Sequence, residues 1–236
     1  MRLKFNKFGM TLLLICLANQ PSHAQAPDQI ADFAKAAKFD NASEVNLLLK
    51  KGLNPNTVDA NGNPMLILAI RDKSTNVVDA LLNDKRIDVD LSNKSGETPL
   101  MMVSIDGNLP LVKTLVLGHK AQLDHIGWTP LHYACAKGHL EVAQFLVANG
   151  AIVDSLSAGN TTPLMMAVQS GNEQLVKFLL DKGADLQLKN ANGLTAIDIA
   201  DIYDKPWIGD GLRSRWLKLY KQAYKGPVKP KTPKSP

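Results

Sequence analysis

The stretch "TPLHYACAKGHLEVAQFLVANGAIVD", Thr129 to Asp154, contains the local signals of one small structural unit. Thr129 predicts a helix start, because its hydroxyl can accept a hydrogen bond from a backbone N–H of the first turn. Pro130 fits the first helical position, where the missing N–H has no intrahelical partner. Gly138 and Gly150 predict two helix ends, since glycine readily adopts the left-handed conformation that closes a helix. The stretch therefore predicts two short helices joined by a tight turn.

The same pattern returns along the chain with a period near 33 residues. "TPL" begins at Thr98, Thr129 and Thr162, and "TAI" begins at Thr195, which gives spacings of 31, 33 and 33 residues. Looser copies lie upstream, in "GNPMLILAI" and "IADFAKAAKFDNASEVNLLLKKGLNPN". Neither helix of a unit is long enough to be stable alone. Each pair must bury its apolar stripe against its neighbours, which predicts a stacked array.

These copies resemble the ankyrin repeat, which has a period of 33 residues and the pattern T-P-L-H-x-A. The resemblance covers about residues 30–205, with its best copy in Gly127 to Asp154. It implies an all-α ankyrin-repeat solenoid of stacked helix-turn-helix pairs joined by β-hairpin-like fingers. We expect five repeats and part of a sixth within residues 27–205. The connection "LDHIGW" before Thr129 is shortened and predicts an altered loop there.

The N-terminal residues have the composition of a secretory signal peptide. Three basic residues precede the apolar run Met10 to Ala18, and small residues follow at Ser22 and Ala24. The apolar run is about half of the roughly 20 residues needed to span a bilayer, which disfavours a membrane anchor. We expect residues 1–24 to be removed, with residue 26 as a second cleavage site, and the protein to be periplasmic in a Gram-negative bacterium.

Charge is divided unevenly along the chain. Residues 27–204 carry 15 basic and 21 acidic side chains, whereas residues 205–236 carry nine basic side chains and the single acid Asp210. A protein that binds nucleic acid through its folded body would concentrate Lys and Arg on that body. The acidic body therefore argues against nucleic acid as a partner.

The C-terminal segment follows a different pattern from the repeats. "GLRSRWLKLYKQAY" sets apolar side chains on one helix face and basic side chains around it; the apolar residues are Leu212, Trp216, Leu219, Tyr220 and Ala223. We predict a capping helix over residues 206–224, because a repeat array needs a terminal unit with a polar outer face. The alternative is a basic amphipathic helix that lies on an anionic membrane. Residues 225–236, rich in Pro and Lys, predict a disordered basic tail with weak attraction to anionic membranes.

Four histidines and one cysteine are the clustered candidates for chemistry. A zinc site would need several imidazoles from His119, His125, His132 and His139 to converge on one metal. However, His132 and His139 occupy ankyrin framework positions, and the resemblance implies that His132 bonds neighbouring backbone groups. Cys135 stands where alanine is usual and is expected to be a small buried apolar residue. We predict no catalysis, cofactor or metal; a metal-binding protein or enzyme that uses the histidine cluster is a remote alternative.

The resemblance implies a non-catalytic, monomeric protein that binds another protein. Ankyrin-like proteins bind through their fingers and the exposed ends of their first helices, on a concave surface. Carried over position by position, this rule predicts a set of contact residues. They are Lys94, Glu97, Asp106, His125, Ile126, Trp128, Lys137, Gln169 and Asn192.

Two features of this surface have alternative interpretations. Trp128 is either a binding hot spot, since Trp is enriched in hot spots, or a side chain that folds over a neighbouring finger. Met101, Met102, Met165 and Met166 recur at matching positions in two repeats. Core filling is favoured for them over an adaptable or metal-binding methionine surface.

Overall fold

Residues 27–226 are described by the structure, a computed structural model, and they form six successive helix pairs. The predicted signal peptide, residues 1–24, and residues 227–236 of the predicted tail lie outside the described residues. The pairs are α1 (Pro27–Lys38) and α2 (Ala42–Lys50), α3 (Met65–Arg71) and α4 (Thr75–Leu82), α5 (Pro99–Ile105) and α6 (Leu109–Lys113), α7 (Pro130–Ala136) and α8 (Leu140–Ala148), α9 (Pro163–Ser170) and α10 (Glu173–Asp181), and α11 (Ala196–Ile202) and α12 (Pro206–Tyr220). This is the predicted all-α solenoid of helix-turn-helix pairs. None of these helices is long and apolar enough to cross a bilayer.

The helix boundaries follow from the repeated local signals. Thr129 caps α7 by accepting a hydrogen bond from the His132 backbone N–H, and Pro130 occupies the first turn. Gly138 has a φ of +73°, the left-handed conformation predicted after this helix. Threonine hydroxyls cap three further inner helices in the same way, at Thr98, Thr162 and Thr195. The recurring threonine is therefore a recurring N-cap.

Apolar side chains between the pairs form one continuous core. The first helices of the pairs, here called the inner helices, pack against one another in chain order, and most of the second helices stack behind them. Leu131, Leu146 and Leu164 are fully buried. Met101 and Met165 are buried as well, which confirms core filling for these two methionines. Each short pair is thus stabilised by its neighbours.

The fingers that connect the pairs are tight turns. In the finger before α9, the Ser157 N–H donates a hydrogen bond to the Thr161 carbonyl oxygen over 3.0 Å, and equivalent bonds close three other fingers. Among residues 27–226, the single isolated β-bridge joins Val58 and Pro64. The fingers are therefore the predicted β-hairpin-like connections, closed by a turn bond without an extended β-ladder among residues 27–226.

The irregular spacing before Thr129 begins with an inserted residue in the third pair. The Ala121 N–H bonds to the Leu115 carbonyl oxygen, six residues back, whereas the corresponding bond in the fourth pair spans five. The chain accommodates the extra residue as a π-helical turn, Thr114–Gly118, that continues α6. The π-helix occurs mostly as single turns of this kind within α-helices.

A deletion then shortens the finger before Thr129. Asp124 and Asp154 mark equivalent points, because each side chain accepts a hydrogen bond from a backbone N–H of the next repeat. Thr129 follows Asp124 by five positions, whereas Thr162 follows Asp154 by eight. Ile126, at the tip of this short finger, is 99% exposed. The altered loop predicted from "LDHIGW" is confirmed, and the inserted and deleted residues together explain the spacing of 31.

Helix α12 covers the open end of the array. Ile208 and Leu212 are buried, and Trp216 packs against the same core. Leu219, which the sequence places on the same face, is instead 57% exposed. The packed face therefore begins one turn earlier than predicted, at Ile208, and continues every fourth residue to Trp216.

The chain after α12 folds back onto the last repeat. The helix ends at Tyr220, four residues before the predicted end at residue 224, because Lys221 adopts a left-handed conformation with φ of +56°. The Tyr224 hydroxyl then donates a hydrogen bond to Asp198 Oδ2 over 2.5 Å and lies 2.6 Å from Thr195 Oγ1. Burial, together with the Asp198 carboxylate, raises the pKa of Tyr224 to about 12. The cap thus consists of a helix and a docked tyrosine.

We expect Tyr224→Phe to lower the free energy of unfolding by about 2 kcal/mol. The change removes a donor from the mostly buried Asp198 carboxylate, and hydrogen bonds to charged groups contribute about 1.5–3 kcal/mol. The matched control is Tyr220→Phe, whose ring lies 4.5 Å from the ring of Trp216. Denaturant unfolding of both variants measures the difference. Equal losses in the two variants would contradict a stabilising role for the Tyr224 hydrogen bond.

Candidate functional site

An apolar cleft lies on the surface formed by the inner helices and the fingers, here called the inner surface. Its volume is about 190 Å³, and its walls come from three successive repeats. The lining residues are Ile105 of α5, Trp128 of the short finger, His132, Tyr133 and Ala136 of α7, and Met166 of α9. The cleft is an apolar concavity centred on the fourth repeat.

Trp128 forms one wall of the cleft and rests on its own repeat. Its ring centroid lies 5.3 Å from that of His132 and 6.4 Å from that of Tyr133, in edge-on geometry in both cases. Such aromatic pairs contribute about 0.5–1.5 kcal/mol beyond their buried area. The side chain nevertheless remains 41% exposed. Trp128 therefore packs on α7 and still offers part of its surface to solvent.

Tyr133 is held in place by a carboxylate from the preceding finger. Its hydroxyl donates a hydrogen bond to Glu97 Oε1 over 3.0 Å, and Asn93 Nδ2 donates to Glu97 Oε2 over 2.8 Å. Burial, with Glu97 beside it, raises the pKa of Tyr133 to about 12. Glu97, a predicted contact residue, thus already has two partners within the protein and fixes the position of the Tyr133 ring.

His132, which lines the cleft, and Cys135 are both buried residues of α7. His132 Nε2 lies 2.9 Å from the Thr161 carbonyl oxygen, and Nδ1 lies 3.2 Å from the Thr129 backbone N. Nε2 must carry the proton to bond a carbonyl, which leaves Nδ1 as the acceptor for the Thr129 N–H. The predicted bonding of His132 to backbone groups is confirmed. Cys135 is fully buried, as predicted, and burial raises the pKa of its thiol, which disfavours the reactive thiolate.

The other histidines of the predicted cluster have separate surroundings. His139 Nε2 lies 2.9 Å from the Ile105 carbonyl oxygen. His125 is exposed, with Nδ1 3.0 Å from the Ile126 carbonyl oxygen. His119 follows the π-helical turn and is half-buried. Within residues 27–226, no three His, Cys, Asp or Glu side chains converge in an arrangement that could hold a metal ion.

Of the nine predicted contact residues, Trp128 lines the cleft, and Glu97 supports it through Tyr133. The others lie elsewhere: Lys94, His125, Ile126 and Asn192 at finger tips, and Asp106, Lys137 and Gln169 at or near the ends of inner helices. Sequence reasoning missed Tyr133 and Met166 as surface residues. Both stand four positions after a capping threonine, and this shared position is the signal that could have found them.

Comparison with known proteins places this architecture in a family. A family model for ankyrin repeats, in three copies, matches residues 33–125 and 100–190, which together exceed half of the chain. The chain is 32% identical over 96 residues to protein phosphatase 1 regulatory subunit 27 of Mus musculus, a match that covers 40% of this chain and 62% of that protein. It is 33% identical over 122 residues to palmitoyltransferase AKR1 of Lachancea kluyveri, covering 49% of this chain and 16% of that protein.

A third match is the nuclear factor NF-kappa-B p105 subunit of Gallus gallus, 32% identical over 145 residues, covering 59% of this chain and 14% of that protein. In each case the chain spans less than two thirds of the relative's length. The names of these three proteins describe different roles. Since the family model and the stacked helix pairs agree, this chain belongs to the ankyrin-repeat family.

Proposed function

We propose that the chain is a monomeric protein-interaction module that binds a partner protein on its inner surface and performs no chemistry itself. The observation that carries this proposal is the apolar cleft beside Trp128. Trp and Tyr are enriched among residues that dominate binding energy, because they bury a large area with few rotatable bonds. Here both rings are already held in place by contacts within the protein, so binding orders them little further.

The cleft suits one apolar side chain of the partner. Its walls are aromatic and aliphatic, and its volume of about 190 Å³ is too small for a folded element. Asp106 and Lys137 directly follow the cleft residues Ile105 and Ala136 in sequence, at the ends of α5 and α7. An apolar centre with a polar rim is the usual anatomy of a protein interface. That one relative is named as a regulatory subunit is consistent with binding as the role of these repeats.

We expect Trp128→Ala to weaken partner binding by at least about 1 kcal/mol, about fivefold in Kd. Stability should fall by about 1 kcal/mol, because the ring contacts with His132 and Tyr133 are lost. The matched control is Ile152→Ala, which truncates an apolar side chain that is 55% exposed and lies away from the cleft. Crosslinking in the native compartment identifies the partner, and calorimetric titration then gives Kd for each variant. A lower melting temperature with unchanged Kd would assign Trp128 a structural role only.

Export to the periplasm is the second part of the proposal. It is supported by the basic start, the apolar run Met10 to Ala18 and the small residues before residue 25. The same crosslinking experiment tests it when periplasmic and cytoplasmic fractions are analysed separately. Protein found only in the cytoplasm, with Met1 retained, would contradict export and leave the binding proposal untouched.

A further inference from the structure

The solvent side of α12 has a composition that the capping role does not require. Helical periodicity places a row of residues opposite the buried Ile208 and Leu212. This row, here called the cap face, consists of Trp207, Asp210, Gly211, Ser214, Leu217 and Lys218, with Lys221 at its end, and all seven are exposed. Ile208 and Leu212 make the buried capping contacts, whereas Trp207, Gly211, Ser214 and Lys218 border an open groove between α12 and α10.

Trp207 is the unusual residue of the cap face. It is 79% exposed, against 41% for Trp128, and it stands in the first turn of α12. The buried contact of this turn is provided by Ile208 and not by Trp207. Tryptophan is typical of surfaces that meet the boundary between water and lipid, where the ring is apolar and its N–H remains hydrated.

The basic residues from Arg213 to Lys225, in α12 and just after it, fall into two groups. Both arginines are paired: Arg213 with Asp201 and with the exposed Asp210, and Arg215 with Asp181. The lysines on and after the cap face form no ion pair with any described residue: Lys218, Lys221 and Lys225. The positive charge that remains available therefore lies at the cap face.

This charge is opposite in sign to that of the repeats. Residues 27–204 carry 15 basic and 21 acidic side chains, whereas residues 205–236 carry nine basic and one acidic. A planar anionic surface would attract the basic cap and repel the acidic repeats. The two forces together would orient the molecule with its cap toward the surface. Anionic bilayers combine negative headgroups with an apolar layer that accepts a Trp ring. Double-stranded nucleic acid is also negatively charged, but it has no apolar layer into which a Trp ring could insert.

We propose that the cap face is a docking surface for anionic lipid bilayers, with its lysines on the headgroups and Trp207 in the interfacial region. The surface is not the one that the sequence predicted for membrane contact, since Leu212 is buried and Trp216 packs against the core. Docking through the cap end leaves the inner surface of the repeats exposed. The proposal is thus independent of partner binding.

Co-sedimentation with vesicles tests the charge part of the proposal. The chain from residue 25 onward, which contains the whole described fold, is mixed with phosphatidylcholine vesicles with or without phosphatidylglycerol. We expect binding to the anionic vesicles alone, weakened by salt. Lys218→Glu combined with Lys221→Glu should lower the partition coefficient at least about tenfold, because each lysine near an anionic surface contributes about fivefold.

The matched control changes the same amount of charge elsewhere. Lys35→Glu combined with Lys85→Glu alters two exposed lysines in the first two repeats. It should leave the partition coefficient within about twofold, since both positions lie away from the docked surface. Equal losses in the two double variants would overturn the proposal, because net charge and not the cap face would then determine binding.

Tryptophan fluorescence tests the position of Trp207. When anionic vesicles are added, the tryptophan emission maximum should move to shorter wavelength. The Trp128→Phe variant should retain this blue shift, whereas the Trp207→Phe variant should lose it. The reverse result would place a different surface on the lipid. A chain ending at Gly226 should keep its sensitivity to the Lys218 and Lys221 changes. Loss of all binding on this truncation, equal binding to neutral vesicles, or a preference for duplex DNA over phosphatidylglycerol would each overturn the proposal.

Discussion

Replacing Leu212 with alanine is expected to lower the free energy of unfolding by about 3 kcal/mol, because Leu→Ala changes in cores cost about 2–5 kcal/mol. Leu212 is 1% exposed and lies in α12, which packs on α11. The change leaves a cavity between the cap and the last repeat. Since each repeat contacts only its neighbours, the loss should appear first as opening of the last helix pair. Denaturant unfolding measures the change in the free energy of unfolding, and amide hydrogen exchange shows which helices open.

Leu219→Ala is the matched control for Leu212→Ala. The sequence pattern places both leucines on one helix face, but Leu219 is 57% exposed. We therefore expect Leu219→Ala to change stability by less than about 0.5 kcal/mol, as is usual for surface substitutions. If the two variants lost equal stability, α12 would pack by the face that the sequence predicts and not by the face that begins at Ile208.

The helix starts could be predicted from sequence because they depend on neighbouring residues. A threonine cap and the backbone N–H that it binds are three positions apart, as in Thr129 and His132. The turn after Gly138 depends on the φ of one residue. Such signals are complete within a single unit, and the 33-residue period only repeats them. The fold class follows, because pairs this short must stack.

The packed face of α12 could not be predicted in the same way. Leu212 and Trp216 could belong to a buried stripe that runs from Ile208 to Trp216 or to one that runs from Leu212 to Leu219. Helical spacing allows both stripes. The choice depends on where the helix ends, and Lys221 ends it in a left-handed conformation. The docking of Tyr224 on Thr195 joins residues 29 positions apart. Contacts of this range leave no periodic signal in the sequence.

The candidate site was predictable only in part, for a related reason. Trp128 was visible because a large aromatic residue occupies a finger position that is Glu97 one repeat earlier. The cleft was not, because its walls are brought together from three repeats. The orientation of Tyr133 depends on Glu97, which lies 36 positions away. Sequence therefore identified the exposed member of the site, and stacking supplied the remaining walls.

His132→Ala should also lower the free energy of unfolding strongly, by about 3 kcal/mol near neutral pH. Removing the fully buried ring leaves a cavity, and it deprives the Thr129 N–H and the Thr161 carbonyl of their partners. A cavity and an unsatisfied buried polar group each contribute losses of about 1–3 kcal/mol. His125→Ala is the control, because His125 is exposed and should change stability by less than about 0.5 kcal/mol.

The stabilisation by His132 should also depend on pH. Burial lowers the pKa of this imidazole, so near pH 6 the unfolded chain binds a proton that the folded chain does not. Stability is then fully present above the ordinary histidine pKa of about 6.5 and falls as the pH decreases below it, by at most about 1.4 kcal/mol per pH unit. Unfolding of wild type and His132→Ala between about pH 8 and about pH 5 measures this slope. The difference in stability between wild type and His132→Ala should shrink on acidification. A constant difference for His132→Ala would mean that the folded protein accepts the charged imidazole, against the hydrogen-bond geometry at Thr129 and Thr161.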